Sequence, residues 1–234
     1  MIRDYFGNAR GLLVVEVGAN QPTALTSQSF HLEQELGWKA VLVEPNPDLA
    51  QQARQLRPQA TVFECACVSS DSIGELTFYI PVTSDGEAHT HAAIEKNIDD
   101  HNYAEHRELR VKSKTLNAII AESGLTDIAL LSIDVEGAEM EVLKGLDLTK
   151  HRPRMILLED KHVFLNKHRL LKKSGYTLAK RTWQNCWYMP NEGVHPKQTF
   201  GERLSLFKRL YLSIWLKKTK LAWRKKSLSP FGSL

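Results

Sequence analysis

Several absences narrow this chain before any motif is read. Cysteine is scarce: Cys65, Cys67 and Cys186 are three among 234 residues. They make neither a disulfide framework nor a CxxC pair, so a reducing cytoplasm is expected, with plain packing the leading role for Cys65-x-Cys67. No apolar run approaches the roughly 20 residues that span a bilayer. The N-terminus has no basic region leading into an apolar stretch, so no signal peptide is expected. Phosphate loops are missing as well. There is no GxGxxG and no GxxxxGK[ST], which argues against a dinucleotide pyrophosphate and a nucleoside triphosphate. Acid is nearly absent from the last stretch: residues 201–234 hold nine Lys and Arg against Glu202 alone, a net of +8. The whole chain carries only +4, so the body is acidic, at −4. Internal repeats and low-complexity segments are absent too.

What is present is an alternation of apolar runs and helical stretches. Runs at 12–17, 39–43, 128–133 and 155–158 are continuous, as in strands buried on both faces. Further strands are expected at 61–68 and 73–80. Helical spacing marks 27–36, 48–57, 116–123, 137–144 and 166–174, and most of these stop at a glycine or before a proline. Residues 176–181 and 185–189 read as a terminal hairpin. Strands separated by helices predict an α/β fold with a mostly parallel sheet and an antiparallel edge. The expected organisation is a domain over 1–193, with an insert at 81–113, and a basic amphipathic tail over 194–234.

Two strand ends carry the chemistry. Glu16-x-Gly18-x-Asn20 turns the backbone where Gly18 has no side chain to block a ligand. Glu44, followed by Pro45, ends the next strand, where a carboxylate can accept from two ribose hydroxyls. An acidic crevice without phosphate loops suits a cationic, ribose-bearing cofactor, and S-adenosylmethionine is the leading candidate. The alternative is that Glu16 and Glu44 simply terminate strands. A third segment, Ser132-Ile133-Asp134-Val135-Glu136-Gly137, adds two more carboxylates.

The strings VEVGAN, LGWKAVLVEPNP and LLSIDVEGAEMEVLKGLDL closely resemble the FkbM-type S-adenosylmethionine-dependent methyltransferases, over residues 12–190. The resemblance implies a Rossmann-like, seven-stranded class I methyltransferase sheet. It implies that Glu16, Gly18, Asn20 and Ser27 line the methionine end of the cofactor and that Glu44 and Pro45 meet the ribose. Cys65 and Ala66 would pass the adenine, and Asp134 would lie beside the methyl group with Glu136. Gln21-Pro22 departs from the Asp-Gly common in that family, which leaves the loop's detail open.

A hydroxyl acceptor needs a base or a metal ion. Asp134 leads the candidates, followed by Glu136, Glu159 and His162. Asp160 or Glu159 could orient His162, or His162 could be an exposed surface histidine. Asp134, Glu136, Glu159 and Asp160 could instead hold a divalent cation, although no spacing requires one and none is predicted. The insert offers His89 and His91 as acceptor contacts, with Asp160 and His162, unless it is a plain solvated lid. Helical spacing of Leu204, Phe207, Leu210, Tyr211, Ile214 and Trp215 among basic residues suits an interfacial helix over 201–226 on an anionic leaflet. A packing helix is the alternative, and nucleic acid ranks lower. The expected activity is O-methylation of a sugar hydroxyl on a cell-surface or lipid-linked glycan. The expected location is the cytoplasm, at the inner face of the membrane. A natural product, RNA methylation and a non-catalytic scaffold are the alternatives.

Overall fold

The computed structural model describes all residues except 24–26, 83–91, 93, 95–104, 161–164, 197, 213–218 and 220–234. Its strands, in chain order, are β1 (Leu13–Val17), β2 (Lys39–Val43), β3 (Thr61–Phe63), β4 (Ala66–Cys67), β5 (Glu75–Val82), β6 (Glu105–Lys114), β7 (Ile128–Ile133), β8 (Met155–Glu159), β9 (Tyr176–Thr182) and β10 (Asn185–Pro190). Helices are α1 (Ile2–Phe6), α2 (Phe30–Leu36), α3 (Pro47–Leu56), α4 (Leu116–Ser123), α5 (Glu139–Lys144), α6 (Leu165–Lys173) and α7 (Phe200–Phe207).

Seven strands form one mostly parallel sheet in the order β3-β2-β1-β7-β8-β10-β9, a Rossmann-like α/β arrangement. The expected antiparallel hairpin is present, with Asn185 opposite Thr182 and Pro190 opposite Tyr176. Its last strand is not outermost: β10 lies between β8 and β9, and β9 is the edge. Contacts divide the chain into two compact units, Met1–Ile156 and Leu157–Leu234.

In the first unit the apolar runs are buried as their composition requires: every residue of β1 and β7 is buried. The parallel register sets Val17 beside Val43 and beside Ile133. Three strand ends are therefore level, and the residues that follow them emerge along one rim. The chain runs from β1 to β2 on one side, while β1's other neighbour, β7, arrives only later in the chain; the strand order reverses between β1 and β7, which is where open α/β sheets form a crevice.

The strand expected at 61–68 is in fact broken. β3 pairs with β2, and after Glu64-Cys65 the chain enters a separate three-stranded sheet, β4-β6-β5. That small sheet buries Ala66, Val68, Phe78, Ile80 and Val111 together. Its long member β6 occupies 105–114, so the insert expected to run to 113 gives way to regular structure at Glu105. The two cysteines of Cys65-x-Cys67 straddle the break and do not share one strand. Both are buried free thiols, and burial pushes Cys65 up to about 11 and Cys67 further up, which makes them poor nucleophiles.

In the second unit, Asp160 is buried against Lys167 of α6, with Nζ 3.1 Å away, and lies 3.9 Å from the Arg181 guanidinium. Arg181 also donates to the Asp160 carbonyl at 2.7 Å. Burying a carboxylate requires such cationic partners, and they anchor β9 to the end of β8.

Candidate functional site

β1 ends at Val17, and the chain must turn at once. Gly18 does so with φ +83°, a conformation that costs a side-chain-bearing residue. Space forbids a side chain there independently. A Cβ on Gly18 would lie 1.8 Å from the carbonyl oxygen of Asp134. The turn is pinned from both flanks: Gly18 and Ala19 N–H both donate to Val43 O, and Asp134 N–H donates to Val17 O at 3.0 Å. Asn20 follows in the left-handed region at φ +50°, which asparagine tolerates better than most residues. Its side-chain oxygen accepts from Gln21 N–H at 2.7 Å.

Glu44 sits at the matching end of β2 and is buried. Its two oxygens accept from Asn20 N–H at 2.7 Å and from Asn46 N–H at 2.9 Å. The carboxylate thus ties the β1 turn to the start of α3, where Asn46 caps the helix and Pro47 opens it. Burial raises Glu44 to about 7, with the backbone donors Asn46 and Asn20 opposing the shift. Pro45 beside it is half-buried, and Cys65 and Ala66 are buried just past β3.

Glu16 has a different environment. One oxygen accepts from Gln28 N–H at 2.6 Å; the other accepts from the Ser27 hydroxyl at 2.8 Å and from the Ser29 hydroxyl. Behind the serines stands Arg57, with no exposed surface. Its guanidinium donates to Ser27 Oγ at 3.0 Å, Ser29 Oγ at 2.7 Å and Glu33 Oε2 at 2.7 Å, and lies 3.9 Å from Glu16. Ser27 Oγ also accepts from Phe30 N–H. Glu16 and Ser27, expected to line a ligand, are here the core of a buried network that fixes the entry to α2. Arg57, Ser29 and Glu33 had no sequence signal. A lone arginine before Pro58 reads as an ordinary basic residue at a helix end.

β7 delivers the remaining carboxylates in the first unit. Asp134 is exposed just past the strand end, and Glu136 is half-buried at φ +52°. Carboxylate oxygens of the two approach within 4.8 Å. The turn closes through Gly137 N–H, which donates to Glu139 Oε1 at 2.8 Å at the start of α5. Two acids this close at one strand end, one of them exposed, can take a proton or attract a cation. Glu159 ends β8 in the second unit and is half-buried; Asp160 next to it is committed to Lys167 and Arg181. His89, His91 and His162 lie outside the described residues.

The profile of the family described as the methyltransferase FkbM domain matches residues 16–181. The chain belongs to the FkbM methyltransferase family. The match begins at Glu16 and ends at Arg181, so it takes in all three strand ends of the rim. Among solved structures, this methyltransferase is similar to a TehB-like SAM-dependent methyltransferase from Corynebacterium glutamicum, at 11% identity over 81% of this chain and 84% of that one, with a TM-score of 0.39. It is similar also to a precorrin-6y C5,15-methyltransferase from Geobacter metallireducens, at 10% identity over 80% and 85%, with a TM-score of 0.41. A comparison with curated protein sequences finds no match.

Proposed function

We propose that this FkbM methyltransferase uses S-adenosylmethionine and methylates a hydroxyl group, on a sugar of a cell-surface or lipid-linked glycan. The observation that carries the reading is the carboxylate pair Asp134 and Glu136 just past the end of β7, where the backbone carbonyl of Asp134 packs against Gly18. An amine acceptor brings its own lone pair, whereas a hydroxyl must lose a proton as it attacks, and a carboxylate at the acceptor is the group that takes it.

The rim fits such a cofactor. Gly18 lets the turn after β1 pack directly against the Asp134 carbonyl, which brings the ends of β1 and β7 together along the rim where the cofactor would lie. Glu44 retains acceptor capacity beyond its two backbone donors, since a carboxylate offers about four lone-pair sites. Ribose hydroxyls would take that capacity, and Asn20 would meet the amino-acid end. Glu16, Ser27 and Arg57 would act from behind, holding Ser27, Gln28 and Ser29 at the entry to α2. When bound, the cofactor supplies an electrophilic methyl group, so the protein's part is alignment and proton removal. Asp134 would accept the hydroxyl proton at its carboxylate, with the Glu136 carboxylate beside it.

Two measurements test the reading. Calorimetry with S-adenosylhomocysteine should show binding, weakened about 10- to 100-fold in Glu44→Gln, the range for losing ~1.5–3 kcal/mol of charge-assisted hydrogen bonding. No binding to the wild-type chain would favour a non-catalytic scaffold. Asp134→Asn should keep that binding and lose methyl transfer. Glycans from a strain carrying the variant should then lack a mass increment of about 14 Da, one CH₂. If the increment is instead missing from a small extractable metabolite, the acceptor is a natural product.

A further inference from the structure

Helix α7 is turned inside out relative to an ordinary surface helix. It starts with a complete capping box, in which Thr199 Oγ1 accepts from Glu202 N–H and Glu202 Oε2 accepts from Thr199 N–H at 2.8 Å. Glu202, Ser205 and Leu206 face Ala179, Lys180 and Arg181 of β9 across a cavity of 140 Å³. The face toward its own unit is thus two-thirds polar. Phe200, Leu204 and Phe207 fall on the opposite side, within roughly 60° of arc at about 100° per residue, and Tyr211 extends the row through the wider turn Lys208–Leu212. These four are 81%, 41%, 53% and 38% exposed. The rings of Phe207 and Tyr211 touch, with centroids 5.1 Å apart. Arg203 and Lys208, both exposed, flank the row on either side.

Water is a poor partner for a contiguous aromatic stripe, and a surface helix normally buries its apolar side. We propose that this outward stripe of α7 docks on an anionic phospholipid surface. Charge selects the partner. The one acid of the region, Glu202, is engaged in the cap on the far side of the helix, so the exposed side presents aromatics between two cations. The chain that follows adds six more Lys and Arg between 217 and 226 and no acid. Aromatic and leucine side chains would enter the headgroup–acyl boundary, and Arg203 and Lys208 would meet lipid phosphates. A second copy is the poorer occupant, because a two-fold contact would set Arg203 and Lys208 against their own counterparts. The inference does not depend on the methyl-transfer reading.

Vesicle co-sedimentation of the full chain tests it. The chain should pellet with vesicles containing phosphatidylglycerol and about tenfold less with pure phosphatidylcholine, and the difference should shrink as salt is raised. Phe200→Ser/Phe207→Ser should release it from both, with an unchanged unfolding midpoint because the side chains are exposed. Arg203→Gln/Lys208→Gln, which removes no apolar contact, should weaken the preference for phosphatidylglycerol. Equal partitioning of wild type between the two vesicle types, or of the variants and wild type, overturns the proposal. So does a chain that stays in solution with vesicles while a short RNA captures it, or one whose dimer is lost with the stripe.

Discussion

Glu16 and Glu44 are the same residue type, both buried, each near the end of neighbouring strands, and they live in opposite surroundings. Glu16 has a cation 3.9 Å away and two serine hydroxyls on one oxygen. Glu44 has two backbone N–H groups and, among the described residues, no ion-pair partner, and burial holds its proton up to about 7. One carboxylate is saturated by its own protein. The other is desolvated, and two backbone donors compensate it only in part. The contrast separates an acid saturated by side chains and a cation from one held by backbone alone, where the sequence shows two equivalent glutamates.

The largest expected effect breaks the Glu16 side. Arg57→Met should cost about 3–5 kcal/mol in urea unfolding, because Glu16 and Glu33 are then buried without their cation. A loss below about 1 kcal/mol would mean that the network is ornamental. The next concerns Glu44 and acidity. Its folded pKa is raised from 4.5 to about 7, so between those values the folded chain keeps a proton that the unfolded chain has released. The stability it contributes is full below pH 4.5 and lost as pH rises to about 7, on the order of 3 kcal/mol at about 1.4 kcal/mol per unit. Unfolding curves across that window should show the slope in wild type and a flatter line in Glu44→Gln; parallel lines would remove Glu44 as its source. The smallest effect sharpens the comparison. Ser27→Ala removes one donor to Glu16 and one acceptor for Arg57 and Phe30, and should cost about 1–2 kcal/mol without altering that pH slope.

Much of the fold was legible because its signals are local. β2, α4 and β7 occupy the spans read from apolar runs and glycine stops, since a strand buried on both faces has no other way to be written. β6 was hidden for the converse reason. Its sequence, Glu105 to Lys114, is mostly charged and half exposed, and its pairing with β5 and β4 is what makes it a strand. The break at Glu64-Cys65 was invisible too, because apolar residues continue through it while the chain changes sheets. At the rim, Gly18, Asn20, Glu44 and Asp134 could be picked out by type and position after a strand. What Glu16 does could not, since its partners Ser27, Ser29 and Arg57 come together only once α2 and α3 are folded. α7 had a helical period that announced an apolar side, but no sequence pattern states which way that side faces.

The void-free contact between Gly18 and the Asp134 carbonyl has a mechanical consequence. With a would-be Cβ only 1.8 Å from that oxygen and Asp134 N–H bonded to Val17 O, the loop after β1 and the loop after β7 have no slack between them. Close-packed atoms transmit displacement instead of absorbing it. Whatever shifts the backbone at Asp134 therefore shifts the turn at Gly18 by a similar amount, and the two loops behave as a single lip. The two turns are geared together by one missing methyl group.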